Sequence, residues 1–232
     1  MDERIWSILV EGFGKIMIAS VKVTIPLTII GFAFAMIIAM FMALVQYAKI
    51  PVLKEISRLY IWIFRGTPLL VQLFIIYYVV FAGIKLPGFK LFGFIKFDRF
   101  LPGVVALSMN SGAYLSEIIR AGIQSIDGGQ SEAARSLGMS SFQTMQHIIL
   151  PQAIRNILPP IANEFVTIIK ESSVTYTIGV QDIMYAVASV KGSTFSIAEP
   201  LIIATCIYFC LTFPTSKIIA HFERKMSKGY KR

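Results

Sequence analysis

Two stretches put ionisable and amide side chains inside otherwise apolar sequence. The first holds Ser108, Asn110, Ser111, Tyr114 and Glu117. The second holds Asn163, Glu164 and Thr167, with Lys170 and Glu171 just beyond. Polar groups are costly in hydrocarbon, so those that occur there usually face a bundle interior or a water-filled cavity and mark a ligand or ion path. Asn110, Tyr114 and Glu117 stand at i, i+4 and i+7 and share one helix face. Asn163 and Thr167 share another, with Glu164 beside them. The two faces are expected to line a pocket between neighbouring spans. Asn110, Ser111, Tyr114, Glu117, Asn163, Glu164 and Thr167 form the candidate substrate-binding set. Two carboxylates with few competing cations favour a positively charged substrate such as arginine, lysine or histidine. Asn110, Ser111 and backbone amides near Gly112 would donate to its α-carboxylate. A plainer role for Glu117 is an ion pair with Arg120, three residues on.

The elements that must hold these residues are membrane spans. Of the 232 residues 56% are hydrophobic, and the mean hydropathy is +0.70, too apolar for a soluble domain of this size. A span needs about 20 apolar residues. Val23–Val45 is uncharged and long enough. Leu59–Ile84 holds one charge, Arg65. Phe100–Ile119 and Ile154–Ile169 are weaker spans dotted with polar groups, and Pro200–Ser216 is the last. Residues 5–20 read as a helix lying at the interface, Lys85–Arg99 as a loop, and Ser172–Ser196 as partly helical structure at the membrane edge. The fold class is therefore an all-α integral membrane protein of five transmembrane helices in a single domain over residues 1–232, because helices satisfy their own backbone hydrogen bonds in lipid.

The formal charge of +9 lies beside apolar segments, which fits an anionic lipid surface rather than nucleic acid. Lys49, Lys54, Arg58 and Arg65, then Arg120, Arg135 and Arg155, then the tail with Lys217, Arg224, Lys225, Lys228, Lys231 and Arg232, all belong inside by the positive-inside rule. Five spans then place the N-terminus outside and the C-terminus in the cytoplasm. Lys85, Lys90, Lys96 and Arg99 dissent. Cys206 and Cys210, four apart in an apolar run, are expected to be buried reduced thiols without metal spacing. Trp6, Tyr60 and Trp62 are expected at headgroup level.

Between the third and fourth spans lies a polar island, SEAARSLGMSSFQTMQHIIL from Ser131 to Leu150, followed by Pro151. It reads as a short helix, a break at Gly138-Met139-Ser140, and a second short helix stopped before Pro151. Ser131 and Ser140 or Ser141 are the expected caps. The spacing of Glu132, Ala133, Ala134, Gly138, Ile148, Leu150 and Pro151 resembles the EAA loop of ATP-binding-cassette importer permeases. FRGTPLLVQLF at Phe64–Phe74, YLSEIIRAGIQSI at Tyr114–Ile126 and NEFVTIIKESSV at Asn163–Val174 resemble the polar amino-acid uptake branch of that family, in the same order.

The resemblance implies a type I importer-like permease of a bacterial cytoplasmic (inner) membrane, with a coupling loop at about 128–151. It implies two ATP-hydrolysing subunits in the cytoplasm, a second permease copy or close relative, and an extracytoplasmic amino-acid-binding protein. Glu132, Ala133, Ala134, Arg135 and Gly138 would then couple the chain to the ATP-hydrolysing subunit. The alanines let the helix seat closely in a groove, and Arg135 is placed to pair with an acidic residue of the partner. The chain has no Gly-rich loop ending in Gly-Lys-Ser/Thr, so ATP would be bound by the partner, and the chain itself is expected to be neither an enzyme nor a cofactor carrier. A competing reading is an ion-coupled secondary transporter using Glu117 and Glu164. A membrane scaffold without transport is another. Neither needs the island.

Overall fold

The computed structural model describes residues 3–47 and 50–227. Asp2, Lys49, Lys228, Lys231 and Arg232 lie outside the described residues, as do the side chains of Arg4 and Lys225. The chain runs through α1 (Glu3–Ala19), a π-helical turn at Ser20–Thr24 and α2 (Ile25–Tyr47) without interruption. The expected interfacial helix over residues 5–20 is thus corrected. It is the first half of one apolar helix of 43 residues, Ile5–Tyr47. The π turn has a local cause. Pro26 lacks an amide hydrogen and its ring crowds the Lys22 carbonyl, so the chain widens by one residue instead of breaking.

The second expected span is not straight. α3 (Pro51–Gly66) and α4 (Leu69–Ile75), which continues as a π turn at Ile76–Val80, meet at 113° around Thr67-Pro68. Pro68 disfavours helix at the residue before it, and Thr67 is extended. A two-residue hairpin, β1 (Lys90–Leu91) and β2 (Ile95–Lys96), lies within the Lys85–Arg99 loop. α5 (Phe97–Gln124) is the third span, and the island follows as α6 (Gly128–Ser136) and α7 (Ser141–Thr144). α8 (Leu150–Glu171) is the fourth span. A 3-10 helix at Ser172–Ile178, α9 (Ile183–Thr194) and α10 (Ala198–Ser227) complete the chain. Each of the five expected spans is met by helix. By length and hydropathy alone, Ile5–Tyr47 and Ala198–Arg224 qualify among the described residues, and the bent pair qualifies if taken as one.

Small residues bring the core helices together. Gly31, Ala35, Ala39 and Ala43 recur every four residues along α2 and are buried. Ala35, Ala39 and Ala43 pack with Leu115, Ile119, Ala153 and Ile157 of α5 and α8. In lipid no hydrophobic force joins two apolar helices, so close backbone approach through small side chains must do it. The approach is tightest between α5 and α8. A Cβ on Gly122 would lie 2.2 Å from Ile157 Cγ1.

The segment at 172–196 is largely helical, and α9 within it packs in a second core. Ile183, Ala186 and Val187 of α9 pack with Ile16 of α1 and Ile203 and Ile207 of α10. Asp182 caps α9 by accepting from the Tyr185 amide at 2.9 Å, and Thr24 Oγ1 accepts from the Ile183 amide at 3.2 Å. Cys206 and Cys210 are exposed on α10, not buried as expected. Tyr60, expected at headgroup level, also has a partner inside the bundle. Its hydroxyl donates inward to the Met109 carbonyl at 2.5 Å.

Candidate functional site

The bend between α3 and α4 leaves backbone carbonyls without amide partners, and Gln72 serves them. Its Nε2 donates to the Phe64 carbonyl at 2.8 Å and to the Thr67 carbonyl and Oγ1, each at 2.9 Å. Its Oε1 accepts from Asn110 Nδ2 at 2.8 Å. Both side chains are buried. Asn110 is therefore held against the bend by α4, not aimed at α8. Sequence reasoning missed Gln72, whose only signal was an amide four residues after Pro68 in an apolar run.

The other predicted residues divide between two places. Ser111 is fully buried on the side of α5 that faces the Glu164 carboxylate, but its Oγ has no hydrogen-bond partner among the described residues. Glu164 also lies within electrostatic reach of Glu171, which in turn neighbours Lys170. Glu171 Oε2 is buried and has no hydrogen-bond partner among the described residues. Beside Lys170 an open cavity of about 540 Å³ is lined by Lys170, Ser173, Tyr176 and Thr177, together with Leu70, Met184 and Tyr208; Glu164 and Glu171 do not line it. Asn163 is exposed, and Thr167 Oγ1 donates to its carbonyl at 3.2 Å.

Glu117 lines a separate cavity, and Tyr114 is joined to it through Arg65. Glu117 takes two hydrogen bonds from Arg120, one of them from Nε at 2.9 Å, and Arg65 Nη1 stands 3.9 Å away. The Arg65 guanidinium also lies over the Tyr114 ring, 5.4 Å from its centroid. Glu117 thus has its cations already, as the plainer sequence reading had it.

The island forms a two-helix turn. Asp127, rather than Ser131, caps α6, accepting from the Gly129 amide at 2.7 Å. Gly138 ends the turn at φ +82°, and the Met139 amide returns to the Ala134 carbonyl at 3.1 Å. A left-handed residue at this place is what closes a helix C-terminus, and glycine takes it without strain. Ser140 then starts α7 with a reciprocal capping box. Its amide donates to Gln143 Oε1 at 2.8 Å, and its hydroxyl accepts from the Gln143 amide at 3.2 Å.

The helix does not stop before Pro151. It runs through a π turn at Met145–Ile149 into α8, and Pro151 sits in the first turn of that helix, where a missing amide costs little. Ala134 is buried, whereas Glu132, Ala133, Arg135 and Gly138 are exposed. Two apolar residues that the sequence did not single out stand out at the turn. Leu137 is 84% exposed and Phe142 75%. At the loop's base Asn156 Nδ2 donates to Ser125 Oγ at 2.9 Å.

This turn, five helical spans and no ATP-binding loop form the setting for comparison with known proteins. Residues 31–228 match the family described as the binding-protein-dependent transport system inner membrane component. The chain belongs to that family. It is 41% identical over 220 residues to the "Putative glutamine transport system permease protein" of Rickettsia typhi, covering 94% of this chain and 97% of that one. It is 39% identical over 213 residues to the arginine transport system permease protein of Bacillus subtilis, covering 92% and 93%. A crystal structure of an amino acid ABC transporter with histidines superposes with a TM-score of 0.84 at 39% identity, covering 93% of this chain and 96% of that one. An inward-facing methionine ABC transporter, at 15% identity and a TM-score of 0.63, shares the fold. The protein is an amino-acid ABC transporter permease of the inner membrane with the type I importer fold. It is not an enzyme: ATP hydrolysis belongs to separate subunits, and permeases of this type act with a second permease copy.

Proposed function

We propose that the chain translocates polar amino acids, with basic ones favoured, through the space beside Lys170, close to Glu164 and Glu171. The observation that carries this reading is the buried Glu171 Oε2, left without a hydrogen-bond partner among the described residues while it neighbours both Lys170 and Glu164. A zwitterion complements that arrangement. Lys170 attracts the α-carboxylate, and the two glutamates attract the α-ammonium and a second cationic group. Ser111 faces Glu164 from α5. Asn163 and Thr167 line the approach on α8, and Asn110 holds the α3–α4 bend that shapes the wall. Tyr114 and Glu117 stand apart from this space, engaged with Arg65 and Arg120.

The island is the power input. Leu137 and Phe142 enter a cleft on the cytoplasmic ATP-binding subunit. Glu132, Ala133, Ala134, Arg135 and Gly138 shape the turn that presents them. Two such subunits, ATP bound only by them, and an extracytoplasmic amino-acid-binding protein complete the importer, with this chain's N-terminus outside and its C-terminus in the cytoplasm. The test is uptake by proteoliposomes containing the chain and its ATP-binding subunit. Labelled arginine, lysine, histidine, glutamine and glutamate would be offered with ATP on the subunit's side. Preferred uptake of arginine, lysine or histidine is expected. Preference for glutamate would overturn the charge argument.

A further inference from the structure

A second cavity, about 460 Å³, lies where α2 ends, α3 begins and α5 nears its C-terminus. It is separate from the space beside Lys170 and shares no lining residue with it. Its wall carries four cations, Lys54, Arg58, Arg65 and Arg120, against one carboxylate, Glu117. That carboxylate is already engaged by Arg120 and approached by Arg65. Arg58 reaches only Glu55, at 2.6 Å, in a pair that is half exposed on both sides. Exposed pairs of this kind contribute little, so the Arg58 charge stays available. Lys54 makes no ion pair among the described residues. Gln46, also on the wall, has a buried Nε2 with no acceptor among them. The site therefore holds an excess of donors and positive charge, which an anion with several oxygens would satisfy.

The same helix supplies an apolar neighbour. Lys54, Arg58, Ile61 and Arg65 stand at i, i+4, i+7 and i+11 along one side of α3. Val52, Ile56, Leu59 and Ile63 form an exposed apolar stripe on another side. Trp62, 72% exposed, stands on the cavity's rim. Tryptophan favours the headgroup level of a bilayer, with its ring half in the apolar phase. The cavity also lies at the loop end of the molecule, because Glu117, Arg120 and Gln124 occupy the last turns of α5 before α6.

We propose that this cavity is a binding site for the phosphate of an anionic phospholipid, held by Lys54, Arg58 and Arg65, with its acyl chains along the Val52–Ile63 stripe. The apolar stripe and the tryptophan rim favour a lipid over a soluble phosphate or an acidic protein loop, which need neither. The site is independent of the substrate reading. It ties the bent α3–α4 element and the base of the loop to the inner-leaflet headgroups.

The test uses the complete complex in nanodiscs of mixed phosphatidylcholine and phosphatidylglycerol. Phosphatidylglycerol retained per complex after detergent extraction would be measured by native mass spectrometry. The double variant K54Q/R58Q should retain it roughly thirtyfold more weakly, each cation near a headgroup being worth about a factor of five. The charge-keeping variant K54R/R58K should retain it as the parent does, which separates lost charge from misfolding. K191Q, on an exposed lysine of α9, should change nothing. Equal retention by K54Q/R58Q would overturn the site. So would displacement of the lipid by inorganic phosphate at comparable concentration, which marks a free-anion site. Unchanged lipid with weakened binding of the ATP-binding subunit would reassign the cavity to a protein contact and overturn it equally.

Discussion

Gln72 and Asn110, 38 residues apart, are joined by an amide–amide hydrogen bond of 2.8 Å across the α3–α4 bend. The bond ties a broken helix to the core helix α5 at the point where the chain turns by 113°. Gln72 cannot be replaced by an apolar residue without leaving the Thr67 carbonyl unserved and the Phe64 carbonyl with only the longer 3.4 Å bond from Asn110 Nδ2. Each buried orphan costs about 1–3 kcal/mol. Q72L should therefore destabilise the permease by about 3 kcal/mol in reversible unfolding, and N110L by less. In a double-mutant cycle the pair should couple by about 1 kcal/mol or more. Strictly additive losses would show that the two amides act separately.

Gly122 is predicted to be intolerant of any side chain. A Cβ there meets Ile157 Cγ1 at 2.2 Å, and overpacking of this kind costs about 1–3 kcal/mol. G122A should lower thermal stability, and I157A should restore part of it by vacating the space. A G122A protein as stable as the parent would mean that α5 and α8 can slide apart freely.

Leu137 and Phe142 separate docking from folding. Both are exposed, so L137S and F142S should leave permease stability within about 0.5 kcal/mol. Their affinity for the ATP-binding subunit should fall roughly tenfold or more, as for apolar anchors in a partner's pocket. Pull-down titration and substrate-stimulated ATP hydrolysis measure the two effects. G138V tests the turn itself. A branched side chain at φ +82° is strained, and uptake should uncouple from ATP hydrolysis. Unchanged uptake in G138V would remove the docking role.

Charge at the Lys170 cavity should set substrate choice. K170Q should weaken uptake of every amino acid tested, because all share the α-carboxylate. E164Q should selectively weaken arginine relative to glutamine, by roughly tenfold if one charge-assisted contact is lost. Competition uptake measures both. Equal loss for arginine and glutamine in E164Q would place Glu164 at the shared amino-acid moiety, or in structure alone.

The loop and the spans were legible because their signals are local. Apolar runs, the Gly138 break and a serine cap at Ser140 or Ser141 are written in neighbouring residues, and the five spans and the two-helix island could be placed from them. What failed was what depends on distant chain. Residues 5–20 look amphipathic, yet their polar-looking small face packs Gly12 against Ile203 of α10. Pro151 reads as a stop, but the π turn before it absorbs the missing amide and the helix continues. Leu59–Ile84 shows no break by hydropathy, and only the Thr67-Pro68 geometry and the Gln72 rescue reveal it. The polar face on α5 was found as a face. Its division between Gln72, Glu164 and Arg120 needed the partners' positions.

Since the π turn carries the helix past Pro151, the backbone from Ser141 to Glu171 is unbroken helix, about 46 Å at 1.5 Å per residue. One end stands at the docking turn, and the other carries Lys170 and Glu171. The two sites are therefore opposite ends of a single lever. Pro159 and Pro160 sit in its shaft, where two missing amides soften the bonding to Arg155 and Asn156. On the proposed docking, force applied by the ATP-binding subunit at Phe142 would reach the Lys170 cavity through one element. The prolines mark the softest place along the shaft, so on the proposed docking, stroke at one end and swing at the other would be geared by where they stand.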